Sequence, residues 1–254
     1  MSQTKAGFRL EGVAVTMFRP EQRAQLQQGA AEWGIDLDTV ALDRFAWFAD
    51  LLEEGNKRLN LTRIAPEDIV PLHFLDSLAL AAFWKPTPGT RLIDVGTGAG
   101  FPGMPLAITF PGLAVTLLDA TRKRLAFLDE VIAELGLANV RTLHGRAEEL
   151  ARDPSQRERY DVVTARAVAK MPVLAEWLLP LARVGGLAVA YKSQEANAEI
   201  ASAGPALSAQ GGRLERVAEI TLPGTAILRK LVFLRKERSV PLRTRPHAVR
   251  RPKR

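Results

Sequence analysis

The stretch from Leu92 to Gly103, Leu-Ile-Asp-Val-Gly-Thr-Gly-Ala-Gly-Phe-Pro-Gly, constrains the fold more than any other part of the chain. Leu92, Ile93 and Val95 form an apolar strand end, and the glycines after it are spaced so that backbone can pass close to a ligand. Pro102 follows, and proline is welcome in the first turn of a helix. The stretch predicts strand, glycine turn and helix, the opening unit of a nucleotide-binding α/β sheet.

Two ligand classes fit such a loop, because Gly98, Gly100 and Gly103 also satisfy the G-x-G-x-x-G of dinucleotide-binding folds. Asp94, two residues before Gly96, separates them. A pyrophosphate wants helix amides and no carboxylate beside it. S-adenosylmethionine has no phosphate but carries an ammonium and a sulfonium, which an acid at the mouth of the loop favours. Asp94 therefore tips the reading toward the sulfonium donor; a strand-end Asp that only caps the glycine turn is the alternative.

At 254 residues the chain has room for one large α/β domain with an extra element, and its 47% hydrophobic share supplies a substantial core. Cysteine is absent, which removes a disulfide framework, a thiolate metal site and a thiol nucleophile. Methylation at carbon 5 of a pyrimidine, which needs a thiolate to attack the ring first, is excluded. There is no run of eighteen apolar residues and no apolar core in Met1 to Leu10, so a soluble, cytoplasmic protein without a membrane segment is expected. The net charge is +7, and six of those charges fall on Arg243, Arg245, Arg250, Arg251, Lys253 and Arg254. Such a tail either contacts nucleic-acid phosphates or is a solvated end.

Along the chain, residues 1–19 show no sustained period and are expected to be loosely ordered. A helical region should occupy 20–88, with helices over Pro20–Trp33 and Asp38–Arg58 and a third after Pro66 carrying Ile69, Leu72, Leu75, Leu78 and Phe83 on one face. Pro86 to Gly89 is the boundary turn, 89–238 the ligand-binding domain and 239–254 the basic tail. Within the domain the predicted strands are Arg91–Val95, Ala114–Leu118, Val140–Leu143, Asp161–Ala165, Leu187–Tyr191, Leu214–Leu222 and Ala226–Leu234. The first five alternate with helices and should be parallel. The last two are joined across Pro223-Gly224 and should be antiparallel. The fold class is thus α/β, the seven-stranded, mostly parallel, Rossmann-like sheet of class I methyltransferases with an antiparallel C-terminal hairpin.

Ligands of such sheets lie beyond the carboxyl ends of the strands, so strand-end residues are the ones to read. Asp119 can accept from both hydroxyls of a ribose, with Ala120 and Thr121 bordering the adenine; capping the helix Thr121–Leu135 is its alternative role. Ala147 and Glu148, after the third strand, can meet the adenine edge; a favourable helix start is the alternative role of Glu148 and Glu149. After the fourth strand Arg166-Ala167-Val168 stands where enzymes acting on exocyclic amines carry Asn/Asp-Pro-Pro-aromatic. Arg166 suits phosphate or a guanine edge, and Lys192 is a second cation of the same cleft; a surface charge is the alternative for each.

Asn60-Leu61-Thr62, His73-Phe74-Leu75-Asp76-Ser77, Asp94 to Gly103, Leu117 to Arg124 and Arg166-Ala167-Val168-Ala169 occur in that order. Together they resemble the RsmG (GidB) family of bacterial methyltransferases of small-subunit ribosomal RNA. The resemblance covers about Asn60 to Lys192 and implies methyl transfer from S-adenosylmethionine to N7 of one guanine in the decoding region of 16S rRNA. It implies donor contacts at Gly96, Phe101, Asp119, Ala120, Thr121, Ala147, Glu148 and Arg166, beside Asp94, Gly98 and Gly100 of the glycine loop. His73, Arg124, Arg166 and Lys192 are the candidates for touching RNA. The implied partner is 16S rRNA or a precursor of the small subunit, met by a monomer.

Guanine N7 already offers an in-plane lone pair, so no general base is required; Arg166 and Lys192 are the candidate catalytic groups and no metal is expected. His73, on a helix and packed by Phe74 and Asp76, reads as structural before it reads as a base, its helix cluster closing over the cleft or touching RNA. Two other classes stay open: methylation of a small metabolite or protein, and a non-catalytic RNA-binding module.

Overall fold

The computed structural model describes residues 18–241. Its centre is one seven-stranded sheet built from β1 (Arg91–Val95), β2 (Ala114–Asp119), β3 (Val140–His144), β4 (Tyr160–Arg166), β5 (Ala182–Ser193), β6 (Gly212–Thr221) and β7 (Leu228–Lys236). The strand order is β3-β2-β1-β4-β5-β7-β6. All pairings are parallel except those of β7 with β5 and β6. The order reverses between β1 and β4, and that switch point opens a crevice at the carboxyl ends of β1, β2 and β4.

Alternation along the strands sends residues to two cores. Leu92, Leu117, Val162 and Val189 face one side, where they meet Leu26, Phe45, Phe48 and Phe74 of the helical region. Ile93, Leu118, Val163 and Ala188 face the other, packed under Leu174, Leu178 and Leu207. The N-terminal helices are therefore one full layer of the sheet's own core. Helix α1 (Pro20–Ala31) starts at Pro20; α2 (Thr39–Leu59) is capped by Asp38, whose side chain accepts from the Ala41 amide at 2.7 Å, and it ends on Asn60 in the left-handed conformation (φ 49°).

Three segments differ from the sequence expectation. The third helix is a broken one, with 3-10 turns at Pro66–Asp68 and Ala79–Ala82 flanking a π-helical turn over Val70–Leu75 and a short α turn, Asp76–Leu78. It has no single apolar face: His73, Asp76 and Ser77 are buried along with Phe74, Leu75 and Leu78, while Leu72 and Phe83 are only partly so. Strand β5 begins at Ala182, well before Leu187. Gly185 and Gly186 conceal this start, since at Gly186 a Cβ would stand 2.9 Å from the Arg183 carbonyl. The hairpin before β7 is wider than Pro223-Gly224, because the Leu222 amide donates to the Ile227 carbonyl at 2.9 Å. The expected loose start and the tail arginines lie outside the described residues.

Candidate active site

The glycine loop hangs from the end of β2. The amides of Gly96 and Thr97 both donate to the Leu118 carbonyl (2.8 and 2.9 Å), and the Gly98 amide donates to Asp119 Oδ2 at 3.0 Å. The other Asp119 oxygen accepts from the Thr121 amide at 2.8 Å. Asp119 thus ties two backbone turns together and is not the helix cap, a position held by Thr121 itself. A carboxylate has about four lone-pair sites, so accepting capacity remains for a diol.

Each glycine of the loop has its own reason. At Gly96 (φ +70°) a Cβ would meet Val168 at 2.9 Å; at Gly100 (φ +100°) it would meet Met104 at 2.6 Å; at Gly103 it would collide with the Leu117 side chain. Gly98 (φ +60°) differs, for among the described residues only the Gly96 carbonyl lies within 4.0 Å of its would-be Cβ. The loop is packed hard from below and open at Gly98.

Asp94 lies beneath the loop, not at its mouth, and none of its surface is exposed. Oδ2 accepts from Thr97 Oγ1 (2.7 Å) and the Gly103 amide (3.0 Å), and Oδ1 accepts from Thr164 Oγ1 (2.9 Å). Burial pushes its carboxyl up to about 6 against the opposing pull of these hydrogen bonds. Its direct work is to hold both ends of the loop to β4.

On the β4 side a polar network joins the broken helix to the loop. Arg166 Nη1 donates to Asp76 Oδ2 (2.9 Å) and the Leu72 carbonyl (3.2 Å), and Nη2 donates to His73 Nδ1 (2.9 Å). Arginine can only donate, so His73 Nδ1 accepts and its proton sits on Nε2, donating to Thr62 Oγ1 at 2.8 Å. Burial, reinforced by the Arg166 charge, holds His73 down at about 3. The imidazole lies flat on Phe101, with ring centroids 4.1 Å apart and planes 4° apart, and the guanidinium carbon sits 5.0 Å from the same ring. Asp76, 2% exposed, takes a second arginine on Oδ1, Arg229 of β7 at 2.9 Å. Tyr191 donates to the Ser77 carbonyl (2.8 Å), and its own phenol is held well above the ordinary range by burial.

Both terminal nitrogens of Arg166, expected to grip a guanine or phosphate, are engaged by groups of the protein itself. Lys192 is engaged likewise: Nζ donates to the Ala169 carbonyl (2.6 Å) and pairs with Glu199 (3.0 Å), bracing the turn after β4. The reason is the same for both. Each side chain is largely buried, 12% exposed, and a buried cation must be paired. Arg124 stands at the rim, 42% exposed and 3.6 Å from Asp119. Ala147 packs into the second core beside Ile93 and Val163, while Glu148 is exposed and borders a groove with Arg152 and Trp177. Asp94, Gly96, Gly98, Gly100, Phe101, Asp119, Ala120 and Thr121 converge on the switch point, and Phe101 brings His73 and Arg166 to it. Thr62, Asp76 and Thr164 were visible only as members of motifs or strands, and Arg229 carried no signal.

The match to known proteins is broad. The family model GidB, rRNA small subunit methyltransferase G, matches residues 41–227. The chain is 44% identical over 220 residues to the "Ribosomal RNA small subunit methyltransferase G" of Acetivibrio thermocellus, covering 86% of this chain and 90% of that protein. Against the protein of the same name from Symbiobacterium thermophilum it is 45% identical over 225 residues, covering 86% and 92%. Among solved structures the fold is similar to that of a SAM dependent methyltransferase from Aquifex aeolicus, with a TM-score of 0.51 and 18% identity over 72% of this chain and 97% of that one. It is similar also to TrmN from Thermus thermophilus, at TM-score 0.51 and 23% identity over 73% and 52%. Those two likenesses concern the fold alone. With a methyltransferase sheet, a glycine loop hung over its switch point and a sequence match across most of its length, the chain belongs to the rRNA small subunit methyltransferase G (GidB) family.

Proposed function

We propose that this protein methylates N7 of one guanine in the decoding region of 16S rRNA, with S-adenosylmethionine as donor. The observation that carries the donor half is the Asp119–Gly98–Thr121 arrangement. It presents a carboxylate with spare accepting capacity beside a loop whose glycine opens onto free space. When bound, S-adenosylmethionine supplies a methyl group already activated on a sulfonium. Asp119 would hold the ribose, Ala120, Thr121, Ala147 and Glu148 would border the adenine, and Gly96, Gly98 and Phe101 would face the methionine end, with Arg166 beside Phe101.

The acceptor half rests on what the site residues are free to do. Guanine N7 has an unshared in-plane pair, so the chain need not remove a proton. It has to align the base, exclude water and accept a product that has become cationic. His73 suits no proton transfer near neutral pH, because one ring nitrogen accepts from Arg166, the other donates to Thr62, and its protonated form is disfavoured down to about 3. The flat Phe101–His73 stack and the guanidinium beside it form a rigid wall at the switch point. The names of the relatives support ribosomal RNA of the small subunit as the acceptor.

The test is direct. Purified protein is incubated with donor labelled in its methyl group and, separately, with small ribosomal subunits, protein-free 16S rRNA and a cell extract depleted of RNA. Label recovered as 7-methylguanosine from small-subunit RNA is the expected result. Label only in protein or small molecules overturns the assignment.

A further inference from the structure

We infer that the end of α2 and the start of the helix Arg122–Glu134 form one basic brow above the donor site that binds the phosphate backbone of the RNA; the inference rests on the RNA substrate proposed above. Two contacts fix how these helices lie. Near one end Arg44 Nε donates to the Leu135 carbonyl at 3.1 Å. Eleven residues further along α2, a Cβ at Gly55 would stand 2.6 Å from the ring of Phe127. The helices therefore run antiparallel. At about 1.5 Å per residue, the last four residues of α2 and the five from Phe127 back to Arg122 extend by roughly 6 and 7.5 Å, so both helices finish at the same level.

That shared level carries Lys57, Arg58, Arg122 and Lys123, all exposed, with Arg124 at its inner side, and the exposed Arg63 follows in the loop after α2. Lys57 is paired with the exposed Glu54, and no acidic residue lies within 55–66 or 120–128. A second, independent feature favours anions here. The 13-residue helix has no side-chain cap at Thr121; the Thr121 amide is taken by Asp119 and the Arg124 amide by the Thr121 carbonyl, which leaves the amides of Arg122 and Lys123 in its first turn for an anion. The brow is also joined to the reacting centre at both ends. Thr62 of the loop after α2 accepts from His73, and Asp119, two residues before Thr121, holds Gly98. Closely spaced cations beside free helix amides suit successive phosphates of one strand, a polyanion of regular spacing.

Two double variants test this, Lys57→Ala/Arg58→Ala and Arg122→Ala/Lys123→Ala, each altering only exposed side chains. Binding of protein-free 16S rRNA is measured across a salt series, together with donor affinity and turnover at saturating RNA. The expected result is about a tenfold weaker RNA affinity at moderate salt and a salt slope shallower by about 1 to 2, since each phosphate contact contributes roughly 0.7 to 0.9. Donor affinity and saturated turnover should stay at the parent values. An unchanged RNA affinity and slope overturns the brow, as does a loss confined to donor binding. A loss seen with assembled subunits but not with protein-free RNA assigns the surface to a ribosomal protein and also overturns it. Failure of the unaltered protein to methylate RNA at all falls on the proposed function instead.

Discussion

The two walls of the switch point solve opposite problems. On the β1–β2 wall an acidic residue, Asp119, keeps accepting capacity and only 5% of its surface exposed, held by two backbone amides and, among the described residues, by no cation closer than 3.6 Å. On the β4 wall the charged groups saturate one another: Asp76 takes two arginines, and Arg166 uses both terminal nitrogens on protein atoms. The first wall is arranged to accept from a ligand, the second to stay rigid beside it. A charged residue at a strand end therefore has no fixed meaning. Its role follows from whether its neighbours leave it anything to do.

The sharpest way to break this contrast is to cut the β4 network at its anionic centre. Asp76→Ala leaves two largely buried guanidiniums without their counter-charge, and denaturant unfolding should show a loss of about 3–5 kcal/mol. A loss below about 1 kcal/mol would mean that the network is not what holds the broken helix to the sheet. Next comes the packed side of the glycine loop. Gly100→Ala combines a positive φ with a Cβ 2.6 Å from Met104, and should cost about 1–3 kcal/mol. Parent stability would show that the loop is looser than its contacts imply.

Acid sharpens the comparison further. His73 is held at about 3 when folded and returns to its ordinary value near 6.5 when unfolded. Protons therefore bind the unfolded chain first, so stability is intact above about 6.5 and falls as the pH drops from there toward 3, by up to about 1.4 kcal/mol per unit. Asp94 acts in the opposite sense. Its folded value is raised to about 6, so its contribution is full below about 3.8 and is lost as the pH rises through 6. Unfolding free energies of the parent and His73→Gln between about pH 4 and pH 7 should diverge, with the variant lacking the acid-side decline. Parallel curves would contradict a neutral, locked His73. The smallest effect on stability, and the most telling one for the ligand-accepting wall, belongs to Asp119→Ala. Calorimetry should show at least about a tenfold weaker donor affinity, worth about 1.4 kcal/mol, while unfolding shifts by about 1 kcal/mol or less. Unchanged donor affinity would reduce Asp119 to a brace for Gly98 and Thr121.

Much of this was legible from the residues. Strand ends and the hairpin can be read because Val, Ile and Leu alternate with turn residues, and the alternation of strands with helices marks the first five strands as parallel. Asp94 shows the limit. Its spacing marks a special strand end, but whether it faces a ligand or the protein depends on Thr164, a residue seventy positions away that no local pattern connects to it. Arg166 and Lys192 were legible as strand-end cations and not as saturated ones, because their partners come from the broken helix, from the turn after β4 and from Glu199. The helix after Pro66 was legible, but its break was not. Ile69, Leu72, Leu75, Leu78 and Phe83 read as one apolar face, and nothing in that spacing signals a π turn that buries the polar His73, Asp76 and Ser77 as well.

The central claim is that these two walls serve one guanine of the small-subunit RNA. Nucleoside mass spectrometry of 16S rRNA from a strain lacking this gene, compared with the parent and with a strain carrying the gene back, tests it most directly. The account predicts that one 7-methylguanosine in the decoding region disappears on deletion, returns with the intact gene and returns to a lower level with the Asp119→Ala form. A 16S rRNA whose 7-methylguanosine content is the same in all of these strains would contradict it.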